Sequence, residues 1–214
     1  QNDPLAFSPP GRLVSPQERF GQRVGMKQAV ALFVAIAFVV SACGPAPRTV
    51  TQNDIDLLSD EIAGLGPEVS PEEAARAAEI AYRYPLQLAQ DYNVTDGPIV
   101  HNIKVNNGWR ERGVCVHWAE DMEARLKAEN FQTLQIHRAI AEGSEVRIDH
   151  STAIVSQKGD DLDEGIVLDP WRFGGLLYWA PTLDDSKYFW EPRLTVLARK
   201  ADAESGEVPP GFLD

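Results

Sequence analysis

Three residues in this 214-residue sequence have the types and spacing to break an amide bond: Cys115, His150 and Asp169. A cysteine nucleophile reacts as the thiolate, which a helix amino terminus and a neighbouring imidazolium both favour. Cys115 follows Arg112-Gly113-Val114 at the predicted start of a helix. The glycine permits close backbone approach, and the free amides of a first helical turn can stabilise both a thiolate and a developing oxyanion. His150 opens the β-rich stretch HSTAIV, and Asp169 closes GIVLD just before Pro170, with GDDLDEG as the turn between them. An antiparallel hairpin of these strands would set the start of the first beside the end of the second, and so His150 beside Asp169. The carboxylate would then fix the imidazole tautomer and stabilise its protonated form.

Each residue also has a plainer reading. Cys115 heads an apolar stripe with Ala119, Met122 and Leu126 and could be a small core hydrophobe. His150 could satisfy a strand end, and Asp169-Pro170 is an ordinary strand-to-turn junction. Asp149 is the rival carboxylate, but it adjoins His150 and should face the other side of the strand. His117 lies two residues past Cys115 and points away from it on a helix. His137 shares the Gln135 side of its strand, toward solvent. His101, in the preceding loop, could line a cleft.

The elements that must position these groups are readable in outline. Asp54 to about Ala63 can form a short helix. Ser70-Pro71-Glu72-Glu73 is a strong helix start, with Ser as cap, Pro at the first position and acids in the first turn. That helix should run through Gln90, bent or interrupted near Pro85. Asp96-Gly97-Pro98 reads as a turn, and His101 to Gly113, polar and punctuated by glycine, as a loop. The cysteine helix should extend to Lys127 or Ala128. Beyond Asn130 the period becomes two: Leu134 and Ile136, then strands at Arg147–Ser156 and Gly165–Asp169, with further candidates at Leu176–Trp179 and Leu194–Arg199. Helices first and strands afterwards, without βαβ alternation, predict an α+β domain over residues 54–205 with an antiparallel sheet, and an exposed tail after it.

A helix-start cysteine followed by histidine and aspartate on successive strands resembles the transglutaminase-like superfamily, whose core is similar to papain. The pieces that carry the resemblance are GVCVHWAEDMEARL, DHSTAIV and VLDPW, between Gly113 and Arg172. The resemblance implies thiol acyl transfer: attack on an amide carbonyl, departure of an amine, and a thioester resolved by water or by a second amine. Bacterial members are more often peptidases or amidases than cross-linkers. Papain-like enzymes also place an oxyanion donor a few residues before the cysteine, where Asn106, Asn107 and Trp109 stand here. The aromatic cluster Trp171, Phe173, Tyr178, Trp179, Tyr188, Phe189 and Trp190 is either a second core layer or a cleft wall for peptide or glycan-linked substrate. The rival class of function is a non-catalytic envelope module that uses the same fold to bind a protein partner.

The amino-terminal part reads as an address. Lys27 precedes the 12-residue apolar run Ala29–Val40, too short to span a bilayer as a mature helix but suited to a signal peptide over residues 26–42. Val40-Ser41-Ala42-Cys43 resembles a bacterial lipobox, which implies lipidation of Cys43, a tether over 43–53, and a place facing the periplasm. Gly44 after the cysteine points to the outer membrane by analogy with enterobacterial sorting. With Cys43 so used, Cys115 is a lone thiol in an oxidising compartment, which calls for a chemical reason. Residues 1–25 read as a disordered extension ahead of the signal. The chain after residue 42 carries a net charge of −14 within a total of −12, so nucleic acid is excluded as a favoured partner. The expected partners are a protein or peptide substrate and a membrane. No cofactor or metal is called for; Asp160, Asp161, Asp163 and Glu164 lack an EF-hand pattern and read as a solvated turn.

Overall fold

The computed structural model describes residues 49–143 and 148–205. The leader, Cys43, most of the tether and the tail after 205 lie outside the described residues.

Thr51 and Asp54 form a reciprocal capping box that starts α1, Gln52–Ala63. Ser70 caps α2, Pro71–Asp91, by accepting from the Glu73 amide at 3.3 Å. The helix continues unbroken through Pro85, so the expected interruption does not occur. Glu73 is buried, and its carboxylate accepts from the amides of Gln132 and Thr133 and from the Thr133 hydroxyl, tying the start of α2 to the entry of the sheet.

The stretch read as a loop contains a helix, α3, Pro98–Asn106, entered through Gly97-Pro98. Its pattern is inverted. Ile99, Val100 and Ile103 face outward while His101 and Asn102 are buried, so hydrophobic periodicity could not signal it. The cysteine helix α4 spans Cys115–Lys127 and buries Cys115, Trp118, Ala119, Met122 and Leu126.

The strands are β1 Leu134–Ala141, β2 His150–Gln157, β3 Ile166–Phe173, β4 Leu176–Pro181 and the two-residue β5 Glu191–Pro192. They form one antiparallel sheet in the order β4-β3-β2-β1-β5. Asp169 does not close its strand: β3 runs on to Phe173, and the pairing with β4 shifts register between Asp169 and Phe173. Such irregular pairing is where a strand accommodates an internal proline like Pro170. Residues 193–199 are not a strand but open α5, Arg193–Ser205. The short apolar run is rich in good helix formers, and a proline stands immediately before Arg193.

Helices α1, α2 and α4 cover one sheet face. Ile55, Leu58, Ile62, Ala77, Ala81, Met122 and Leu126 pack there with Leu134, Ile136, Ala153, Val155, Ile166 and Leu168. The intervening strand residues, Ala139, Ala141, Ile154 and Val167, face the other way and pack with Leu162 and Trp190. Both faces of β2 are therefore buried, which holds its first residue, His150, in a rigid frame. Among the described residues, no helix is long and apolar enough to cross a membrane.

Candidate active site

The turn ahead of Cys115 is clamped from three sides. Gly113 has φ +118, a conformation that side chains rarely adopt. Its carbonyl accepts from Trp118 Nε1 at 2.8 Å, and its amide donates to His117 Nδ1 at 3.1 Å. His101 Nε2 donates to the Arg112 carbonyl at 2.9 Å. Val114 is the N-cap and offers no side-chain bond, and the His117 and Trp118 amides bond to its carbonyl, which leaves those of Cys115 and Val116 without a capping side chain from Val114. Burial and the nearby Arg112 cation hold the His117 pKa below its ordinary value, which suits a neutral ring accepting a backbone proton.

His150 arrives from the sheet. β2 pairs with β3 at Ala153↔Leu168. Continued by one step, this register sets Thr152 opposite Asp169 and His150 on the diagonal. His150 Nε2 donates to Asp169 Oδ2 at 2.6 Å, and both side chains are 1 % exposed. The other ring nitrogen, Nδ1, is buried with no hydrogen-bond partner among the described residues. Cys115 lies close enough to act on the ring. Burial pushes the His150 pKa down, but the bond to Asp169 and the thiol of Cys115 outweigh it, and it rises to about 9. The sulfur itself lies 3.7 Å from the Asp149 carbonyl oxygen, and Cys115 is 9 % exposed.

No family model, curated protein or solved structure matches this chain. Asp169 holds one imidazole nitrogen and leaves the other uncommitted, with Cys115 near enough to raise the proton affinity of the ring.

The structure places the remaining candidates differently. Asn107 ends α3, with its amide nitrogen on the Ile103 carbonyl, and Trp109 is 67 % exposed beside Tyr92 and Arg110. Neither reaches the triad. The buried amide that does connect with it is Asn102, whose Oδ1 accepts from Trp171 Nε1 at 3.0 Å. Trp171 packs on the His150 ring at 4.7 Å between centroids, so this tryptophan does belong to the site. His101 is buried behind the cysteine turn, on the Arg112 carbonyl. His137 does not face solvent freely, since its Nε2 lies 2.8 Å from Ser156 Oγ. Asp149 turns its carboxylate to the Gly143 amide and to Lys200, away from the imidazole.

Arg172 and Asp185 had no sequence signal, whereas Tyr188 and Trp190 belong to the aromatic cluster already visible in the sequence. Tyr188 and Trp190 pack on His150 at 4.5 and 5.4 Å, completing an aromatic box with Trp171. Arg172 Nε donates to Asp169 Oδ2 at 2.6 Å, and its two amino groups hold Asp185. Asp185 also accepts from Trp190 Nε1 at 2.9 Å. Burial works to raise the pKa of Asp185, but its bonds from Arg172 and Trp190 bring it below the ordinary carboxylate range. Among the described residues, no group of three or more His, Cys, Asp or Glu is arranged to hold a metal ion.

Proposed function

We propose that this domain is a transglutaminase-like, papain-like thiol hydrolase, anchored at the bacterial envelope through lipid on Cys43, that cleaves amide bonds in peptide or protein substrates. The observation that carries the reading is the division of labour at His150: Nε2 is bound to Asp169, while the buried Nδ1 lacks a partner and Cys115 acts on the same ring. A polar atom is rarely left unpaired in a core without a reason. A nitrogen that must take and return a proton supplies one.

The steps follow from that arrangement. His150 Nδ1 takes the thiol proton of Cys115, the resulting thiolate attacks the carbonyl carbon of the amide, and the C=O electron pair moves to oxygen. The amides of Cys115 and Val116, at the start of α4, are the donors for that oxyanion. As the tetrahedral intermediate collapses, the C–N bond breaks and imidazolium Nδ1 protonates the leaving amine. His150 then takes a proton from water as it attacks the thioester, releasing the acid and restoring the thiol. Throughout, Asp169 keeps the proton on Nε2 and the ring oriented. A cavity of about 480 Å³ flanked by Tyr188, Trp190, Phe189 and Leu183 adjoins the aromatic box and is the size of a side-chain or ligand pocket.

One observation favours a second reading, a protein-binding module with a vestigial site. His150 is 1 % exposed and Cys115 only 9 %, so a substrate carbonyl needs the Cys115 approach to open. Incubation with a mixed peptide pool in ¹⁸O-water separates the two readings. The hydrolase incorporates ¹⁸O into new carboxyl termini or deamidated side chains, and Cys115→Ala and His150→Ala do not. Equal incorporation by wild type and both variants sinks the enzyme.

A further inference from the structure

A buried guanidinium is costly unless its charge is matched, and Arg172 has two carboxylates for one cation. Its Nε donates to Asp169 Oδ2 at 2.6 Å, one amino group donates to Asp185 Oδ1 at 3.1 Å, and the other holds Asp185 Oδ2. The same Asp169 oxygen takes the His150 Nε2 proton, also at 2.6 Å. The guanidinium is held between rings, 3.8 Å from the Tyr178 centroid and 4.7 Å from that of Tyr188, and Tyr188 in turn packs on His150. The result is a buried row of alternating sign: imidazole, Asp169, Arg172, Asp185.

An oxygen that serves two donors divides its charge between them. What Arg172 draws from Asp169 is withheld from His150, and what Asp185 gives Arg172 reduces that draw. We propose that Arg172 and Asp185 form a tuning arm in which Arg172, as a positioning residue, orients Asp169. Asp185 sets how strongly Arg172 competes with His150, so a carboxylate that does not touch the histidine governs its proton affinity. Its catalytic meaning rests on His150 being the base for Cys115; the coupling itself does not.

Among the described residues, other charged and titratable groups near the ring come from several elements. Cys115 faces it from α4, and Tyr188, with Lys187 Nζ 5.3 Å from its centroid, from the segment before β5. Asp149, next in sequence, is engaged by Lys200, and Glu142, beside the strand partner Ala141, by Arg199. None of these contacts passes through Arg172 except that of Tyr188.

Two substitutions in one network should therefore move His150 in opposite senses, which a purely structural role would not do. Titration of ¹⁵N-histidine-labelled protein by NMR reads this directly. Asp185→Asn frees Arg172 to lean on Asp169 and lowers the His150 midpoint by about one pH unit; Arg172→Gln removes the competitor and raises it by about as much. Midpoints that do not move, or that move in the same direction, overturn the proposal. If either variant fails to fold, wild type decides. The Arg172 Nε–H signal should titrate with the His150 midpoint, because Asp169 turns toward the guanidinium as the imidazolium loses its proton; a flat Arg172 signal overturns the arm. An inert Cys115 with opposite shifts still present removes the hydrolase and leaves the arm standing.

Discussion

Replacing Gly113 with alanine tests whether the turn that presents Cys115 is held as described. Two independent costs arise. The backbone at φ +118 is one that only glycine adopts freely, and forcing a side chain into it costs roughly 1–3 kcal/mol. The new Cβ would also overlap His101 Nε2 and lie 2.6 Å from its Cδ2. His101 must then withdraw and give up its bond to the Arg112 carbonyl, leaving buried polar groups unmet at a further cost of roughly 1–3 kcal/mol. Gly113→Ala should thus lose about 2–6 kcal/mol in urea unfolding. In a His101→Ala background the overlap disappears and only the backbone cost remains. A double-mutant cycle of Gly113→Ala and His101→Ala should return a coupling of about 1–3 kcal/mol. Additivity within about 0.5 kcal/mol would refute the packing of α3 against the cysteine turn.

Three further outcomes follow from the same structure. Asp185→Ala leaves the buried Arg172 short of a counter-charge and should cost about 3–5 kcal/mol in thermal or urea unfolding, whereas removing the exposed Arg83–Glu79 pair should cost at most about 0.5 kcal/mol. The His150 pKa is raised from 6.5 to about 9, so its contribution to stability is full below pH 6.5 and lost as pH climbs toward 9. Stability measured across that window should fall by roughly 3 kcal/mol in wild type and stay flat there in His150→Gln. Glu73 behaves in the opposite sense: its bonds to Gln132 and Thr133 overcome burial and depress its pKa below 4.5, so its contribution is present above pH 4.5 and lost as pH falls through the folded value. In Glu73→Gln that part of the acid-side slope of stability should vanish; an unchanged slope would remove Glu73 from the account.

How much of this was legible depended on whether a residue's role is written in its neighbours along the chain. Ser70-Pro71-Glu72-Glu73 and the stripe from Cys115 to Leu126 signal their helices locally, and the alternation at Leu134 and Ile136 signals its strand. His150 and Asp169 could be paired because one hairpin relates them. α3 stayed hidden because it buries His101 and Asn102 and exposes isoleucines, the reverse of the pattern that marks a helix. Leu194–Arg199 reads as a strand candidate by its short apolar run, while helix propensity and the preceding proline make it the start of a helix. The strand that carries Asp169 runs past Pro170 because the irregular pairing with β4 accommodates the ring, a property of the partner strand rather than of the sequence. Arg172 and Asp185 stand 13 positions apart across a β-turn and a short 3-10 turn, and no spacing rule joins them. Asn102 was passed over for Asn107 and Trp109 because nearness to the cysteine in sequence says nothing about which amide faces Trp171.

The most direct trial of the sulfur–imidazole–carboxylate row is the rate of Cys115 alkylation by iodoacetamide at pH 6, in wild type, His150→Gln and Asp169→Asn. An imidazolium held against the sulfur makes wild type the fastest of the three, by at least about tenfold over His150→Gln, with Asp169→Asn between them. Three equal, slow rates that rise together only as the solution turns alkaline would mean that the histidine does nothing for the thiol.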